Sequence, residues 1–501
     1  MTSGQWRTIK ALPQMSLTWL FEKDDDRIAR LGLEQAGIYF DLSKSHLDDG
    51  AVQAFQELAD EMQLSEKVKA LLSGEPVNIS EGRAAEHSAE RGTGKPASVE
   101  NAHALHQRMK SLIEVIDAGV LGDFTQIIHL GIGGSALGPK MLHHALKLGD
   151  EKYELAVVSN IDGAALEPVL ERFSAAKTLL VIASKTFTTA ETLLNAHAVL
   201  DWMREQGVAD PLGQVVALTA APEQAVEWGI DETRVLPFSE TVGGRYSLWS
   251  SIGFSVALTL GYEAFDDLLA GAAVMDQHFQ TAPWNKNIPV LAAFADQYYT
   301  QVRGCETRAV FAYDERLSLL PDYLQQLEME SNGKSVTLDG APLELQSSPI
   351  VWGGVGTDAQ HAVFQLLHQG SHLVPVEFLA VIEPGDSLDP AHHNGLLLNC
   401  FAQGAALMTG KKSDDSHRNY PGDRPSVTLL LETLDARTLG ALLAFYEHRT
   451  FVNAVLLDIN PFDQFGVELG KQMAGRLAAD DGNQLDASTE ELKKRAFGPG
   501  Q

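Results

Sequence analysis

From about residue 125 the chain alternates short, unbroken apolar runs with longer stretches whose apolar positions recur every three or four residues. The runs TQIIHLGI (125–132), YELAVVSN (153–160), TLLVIASK (178–185), GQVVALTA (213–220) and TRVLPF (233–238) lack in-out alternation, which predicts strands covered on both faces. Segments such as TAETLLNAHAVLDWMREQ lie between them and predict amphipathic helices, so the strands should pair in parallel. A second series follows with RAVFAYDE (308–315), SPIVWGG (348–354), VPVEFLAVIEP (374–384) and SVTLLLETL (426–434). The predicted fold is α/β, with two doubly wound three-layer αβα sandwich domains over residues 106–262 and 263–501. Residues 1–105 read as mainly helical, GAVQAFQELADEMQLSEKVKALLSG being the clearest stretch, with no sheet of their own, and are expected to pack on the second domain. From Pro461 the chain is expected to be helical down to the polar FGPGQ.

With 501 residues and 45% hydrophobic composition the chain can bury a large core. Cys305 and Cys400 show neither metal-ligand nor disulfide-framework spacing and are expected as buried free thiols in a reducing compartment. The beginning MTSGQWRTIK has no apolar signal core, and no long uninterrupted apolar run occurs, so a cytoplasmic protein with no membrane partner is expected. Lys and Arg number 38 against 67 Asp and Glu, a formal charge of −29, which disfavours nucleic acid as a partner. If the ligand is an anion, the scarce cations and helix N-termini must be gathered in one place.

Two loops offer such a place. HLGIGGSALGP follows the first strand, and Gly131, Gly133 and Gly134 allow a tight turn and close approach to a ligand, with Ser135 adding a hydroxyl. It matches neither the Walker loop nor the dinucleotide fingerprint, which speaks against a nicotinamide-dependent oxidoreductase; alone it could be a structural turn. At the end of the third strand ASKTFTTAET supplies Ser184, Lys185, Thr186, Thr188 and Thr189. Thr189 could simply cap the next helix. Capping needs a single hydroxyl, however, whereas a phosphate monoester, with three acceptor oxygens and nearly two charges, uses several hydroxyls and an ammonium.

Acid-base candidates lie further on. In TVGGRYSLWSSIG the glycines, Gly244 among them, let the backbone approach a ligand while Arg245 could steady a developing oxyanion, or could form an ordinary salt bridge. In PDYLQQLEMESNGKS and the leucine just before it, Leu320, Leu324 and Leu327 mark a buried helix stripe, and Gln326 and Glu330 share another face. A carboxylate in the last turn of a helix is disfavoured by the dipole, which suits Glu330 to proton abstraction; spacing alone leaves Glu328 as its rival. DAQHAVFQLLHQG places His361, Gln365 and His368 as a polar helix stripe without the signature of a metal site, and a hydrogen-bonded core histidine is the plain alternative. Lys471, on the amphipathic helix FDQFGVELGKQMAGRL, reads as a solvated surface charge, and His392 and His393 read as loop residues.

Taken together, GIGGSALGP, SKTFTTAET, VGGRYSLWSSIG, QQLEMESNGK, GTDAQHAVFQLLHQG and FGVELGKQMA resemble, in order, the motifs of the glucose-6-phosphate isomerase family, and EGRAAEHSAER resembles its N-terminal segment. The resemblance implies a pair of sugar-isomerase (SIS) domains that interconvert glucose 6-phosphate and fructose 6-phosphate through a cis-enediol(ate), with no metal or organic cofactor. It implies that Ser135, Ser184, Lys185, Thr186 and Thr189 hold the phosphate, with Gly134, Gly244 and Gln326 also at the substrate. Glu330 would be the base between C2 and C1, Arg245 would stabilise the enediolate, and His361 and Lys471 would open and close the ring. It further implies a homodimer in which His361 reaches the neighbouring subunit's site. The chain departs from many members at Ala136, where an acidic residue is common, and at Leu327, where glycine is common. It also ends soon after the Lys471 helix, so a long C-terminal arm is not expected. A non-catalytic sugar-phosphate-binding regulator on the same domains is the alternative.

Overall fold

The structure, a computed structural model, describes residues 4–479 and 486–498. Residues Met1–Phe462 cluster as one compact unit and Asp463–Gln501 as a second. Within the first unit, strands β1 (Gly32–Gln35) and β2 (Ile38–Asp41) come first. Then follow β3 (Gln126–Leu130), β4 (Glu154–Val158), β5 (Thr178–Ala183), β6 (Val215–Thr219) and β7 (Val235–Pro237). The last four are β8 (Thr307–Tyr313), β9 (Ile350–Val355), β10 (Val376–Val381) and β11 (Ser426–Leu431).

Strands β3 to β7 form a five-stranded sheet in the order β4-β3-β5-β6-β7, parallel throughout, as the unalternating runs required. All six residues of β5 and all five of β6 are buried, which follows from covering both faces with helices and is the reason the runs are apolar at all but their end threonines, Thr178 and Thr219. The second sheet has six strands in the order β1-β2-β11-β10-β8-β9. Strands β8 to β11 pair in parallel.

The N-terminal region corrects one expectation. Besides its helices it carries two strands that the helical pattern did not predict: β1 and β2 form a hairpin, and β2 adds antiparallel to β11, so the region has no sheet of its own but joins the second one. The hairpin turns at Ala36 and Gly37, with φ of 54° and 75°, the double left-handed geometry that suits strand twist. Ile38 and Phe40 face inward, and the Phe40 ring lies 4.9 Å from that of Phe445. The N-terminal region thus packs on the second sheet by extending it.

Helix Ala436–Leu457 is buried along almost its whole length and packs against helix Tyr262–Thr281. Its charges are paired rather than stranded: Glu447 meets Arg91, His448 meets Asp276, and Arg449 meets Asp296 and Glu377. Cys305 and Cys400 are buried free thiols. Among the described residues, no helix is long and apolar enough to cross a membrane.

Candidate active site

β3 and β5 are parallel neighbours with Leu130 beside Ile182, so the glycine loop and the hydroxyl loop leave the same edge of the sheet side by side. Open α/β sheets bind ligands at this edge. Gly133 has a φ of 56°, and a Cβ there would lie 2.9 Å from the Gln326 side-chain nitrogen. A Cβ on Gly134 would run into the carbonyl of Gly244. Absent side chains therefore let the segments 131–135, 243–245 and the helix bearing Gln326 close on one another.

In the second loop Ser184 Oγ lies 3.1 Å from Thr189 Oγ1, and Thr186 Oγ1 lies 2.8 Å from Thr188 Oγ1. Thr189 does occupy the N-cap position of helix Ala190–Glu205, yet its hydroxyl makes no capping bond, so capping does not explain the hydroxyl cluster. Between the threonines, buried Phe187 is held at a φ of 54°, an uncommon conformation for a bulky residue, with its ring edge-on to Trp228. Lys185 Nζ donates to the carbonyls of Glu240 at 2.8 Å and Val242 at 3.0 Å, tying this loop to the one that leads into Gly244. Burial, with the charge of Arg83 adding to it, pulls the Lys185 ammonium down to about 8.

The segment that carries Glu330 is built differently from the expected regular helix. Helix Leu320–Leu324 passes into a π-helical turn at Gln325–Glu330, while Leu320, Leu324 and Leu327 are all fully buried as the stripe predicted. Such a turn widens the helix and re-aims its side chains. Glu328 points into the interior and pairs with Arg308, whose Nη1 also lies 3.7 Å from Asp296 and 3.6 Å from Glu377. Burial raises its pKa, opposed by Arg308 and Arg449. Glu330 keeps some exposure, and its Oε2, which has no hydrogen-bond partner, sits 3.5 Å from Arg245 Nη1. The two rivals are thereby separated: one carboxylate is consumed by an ion network, the other faces a single guanidinium with an Oε2 that accepts no hydrogen bond.

Arg245 is 2% exposed. Its Nε donates to Ser331 Oγ at 2.6 Å, and its Nη2 donates to the Pro461 carbonyl. Tyr246 shares the same Ser331 hydroxyl at 2.8 Å. The guanidinium is thus locked beside Glu330 by neighbours on both sides, an arrangement able to stabilise an oxyanion without reorganising.

His361 lies on helix Gly356–Ala362, exposed, and no described residue hydrogen-bonds to its ring. The expected continuous stripe is corrected: the helix breaks at Val363, and Gln365 and His368 belong to a second helix, Phe364–Gln369, where His368 meets Gln403 at 2.8 Å. His392 and His393 are not loop residues but open helix Pro390–Thr409, whose first turn is capped by Asp389. Lys471 is an exposed residue of helix Glu468–Ala479 in the C-terminal unit.

Residues 41–493 match the family profile described as phosphoglucose isomerase. The chain is 62% identical over 493 residues to glucose-6-phosphate isomerase of Rhizorhabdus wittichii, covering 98% of this chain and 99% of that protein. It is 58% identical over 488 residues to the enzyme of the same name from Zymomonas mobilis, covering 97% and 96%. The crystal structure of a glucose-6-phosphate isomerase from Chlamydia trachomatis superposes with a TM-score of 0.91 at 30% identity, covering 99% of each chain. This chain belongs to the phosphoglucose isomerase family.

The two departures from the phosphoglucose isomerase pattern fall inside the core. Ala136 is 1% exposed and Leu327 is 0% exposed, so both fill packing positions rather than reach the cleft. One candidate escaped the sequence reading: Arg83, in the N-terminal motif EGRAAEHSAER, donates through Nη1 to the same Glu240 carbonyl as Lys185, at 2.6 Å. Only the motif's likeness to the phosphoglucose isomerase family pointed there, because nothing local to residues 81–91 announces a partner so far along the chain.

Proposed function

We propose that this protein interconverts glucose 6-phosphate and fructose 6-phosphate by aldose-ketose isomerisation, a step of glycolysis and gluconeogenesis. The observation that carries the reading is the Glu330 carboxylate, whose buried Oε2 accepts no hydrogen bond, beside a buried and fixed Arg245. A proton on carbon next to a carbonyl is too weak an acid for a free carboxylate, so the enediolate needs stabilisation where it forms. Glu330 removes the proton from C2 and returns it to C1, and Arg245 holds the oxyanion. The substrate is oxidised at one carbon and reduced at the next, so no external hydride carrier takes part.

Phosphate binding at Ser135, Ser184, Lys185, Thr186 and Thr189, with Gly134, Gly244 and Gln326 lining the approach, fixes C1 and C2 against the base. His361 and Lys471 serve ring opening and closing. The active form is a homodimer in which His361 acts across the interface. Its exposure, with exposed Leu366, Leu398 and Phe401 on the neighbouring helices Phe364–Gln369 and Pro390–Thr409, supports a surface that a second copy covers. Residues 106–262 and 263–501 act as the two SIS domains, with 1–105 completing the second. The buried free thiols Cys305 and Cys400 favour the reducing cytoplasm. The test is a coupled assay that detects glucose 6-phosphate formed from fructose 6-phosphate. Turnover that disappears in Glu330→Gln supports the reading, whereas binding of the sugar phosphate without turnover would instead make the chain a non-catalytic regulator.

A further inference from the structure

β3 carries one residue that packing alone does not call for. Ile127, Ile128 and Leu130 are fully buried, as expected of a central strand, but so is His129, which lies in register between Val157 of β4 and Val181 of β5. An imidazole in such a place costs desolvation unless both nitrogens are satisfied. Here both are. Nε2 lies 2.7 Å from the carbonyl oxygen of Ser135, and Nδ1 lies 2.8 Å from the hydroxyl of Ser255, itself fully buried.

A carbonyl can only accept, so Nε2 carries the proton and Nδ1 takes one from Ser255. Ser255 sits in helix Phe254–Leu260, where Thr259 Oγ1 donates to its carbonyl at 2.7 Å. The ring therefore bridges a rigid buried helix to the last residue of the glycine turn. Elsewhere in that turn Gly131 N donates to the Val158 carbonyl at 3.3 Å, Ser135 N to the Ile132 carbonyl at 3.2 Å and Ala136 N to the Gly133 carbonyl at 3.0 Å, so around Ser135 itself the backbone bonds are short-range.

We infer that His129 is a positioning residue for the sugar phosphate: by pinning the Ser135 carbonyl inward it holds the glycine turn and presents the Ser135 hydroxyl to the anion. The inference rests on Ser135 as a phosphate ligand. Burial pushes the imidazole down to about 4, against the hydrogen bond to Ser135, so near neutral pH the ring stays uncharged and keeps the tautomer that this bridge needs.

The test compares His129→Phe, which keeps the bulk but loses both nitrogens, with His129→Gln, whose amide can donate again, and with Ser255→Ala. KM for fructose 6-phosphate, kcat, and the competitive inhibition constant of inorganic phosphate are measured for each. His129→Phe should raise KM and the phosphate constant about tenfold, with kcat held within about threefold, and His129→Gln should recover part of the loss. Ser255→Ala should raise both constants several-fold, and it decides the matter alone if His129→Phe does not fold. A merely structural histidine would lower the folded fraction, and so kcat, with KM unchanged; that result overturns the inference. Ser135→Ala separates the two layers. If it leaves KM unchanged, the phosphate assignment falls and this inference with it; if it raises KM while His129→Phe and Ser255→Ala do not, only the role of His129 falls.

Discussion

At the scale of single residues the chemistry reduces to how each charge is held. Glu330 should act as a base because its Oε2 accepts no hydrogen bond while Arg245 stays fixed 3.5 Å away. Glu330→Gln keeps shape and hydrogen-bonding size but cannot take a proton. Its kcat should fall at least ~10²-fold with phosphate inhibition unchanged, and near-normal turnover would remove Glu330 from the role. Lys185 gives a different signature. Its ammonium is pulled down to about 8, so if Lys185 holds the phosphate as proposed, the free protein loses that charge as pH rises through this value and kcat/KM should decline. Lys185→Ala should raise KM at neutral pH and abolish the alkaline fall, as a pH series of initial rates will show.

At the scale of elements, the π-helical turn Gln325–Glu330 is anchored from beneath by Glu328 and Arg308. Both side chains are almost wholly buried, and the network continues through Asp296, Glu377 and Arg449. Removing one partner leaves the others as uncompensated charge in a low-dielectric interior, which costs about 3–5 kcal/mol in comparable cases. Arg308→Met should therefore lose about that much in urea unfolding, and its surviving folded fraction should show reduced kcat, because the turn that carries Glu330 loses its anchor. A variant of wild-type stability would show that the network does not hold the turn.

At the scale of the whole molecule, two expectations can be measured. If His361 acts across a dimer interface, mixing inactive Glu330→Gln and His361→Ala subunits should restore activity, since one site of each hybrid combines an intact Glu330 with an intact His361. No recovery in hybrids of verified composition would place His361 in its own subunit's site. The second concerns acid. His129 and His278 are drawn down to about 4, and His87 and His448 are also lowered, all chiefly by burial. An unfolded chain would bind protons at these histidines below pH 6.5 while the folded chain refuses them, so folding stability should fall as pH drops from about 6.5 toward 4. The thermal midpoint should already decline between pH 7 and pH 5, above the range where carboxylates protonate; a flat midpoint there would contradict this.

The sequence by itself determined whatever depends on local pattern. Strands buried between two helical layers are apolar at most positions, so the five runs from residue 125 and the four from residue 308 announced both sheets, and the leucine stripe marked one face of the Glu330 helix. Glycines and hydroxyls at strand ends pointed to the two loops proposed to hold the phosphate. What it left open were choices settled by distant partners. The hairpin at Ala36–Gly37 is a strand pair only because β11 lies waiting for it, and Ala-Gly is not a strong turn signal. Glu328 and Glu330 are alike in local sequence; a π-helical turn and the reach of Arg308 divide them. The break at Val363 and the helix that takes up His392 and His393 are likewise absent from the local pattern. Periodicity records which side of an element meets the core, whereas only the closed tertiary structure decides which particular charge, carbonyl or ring stands there to meet it.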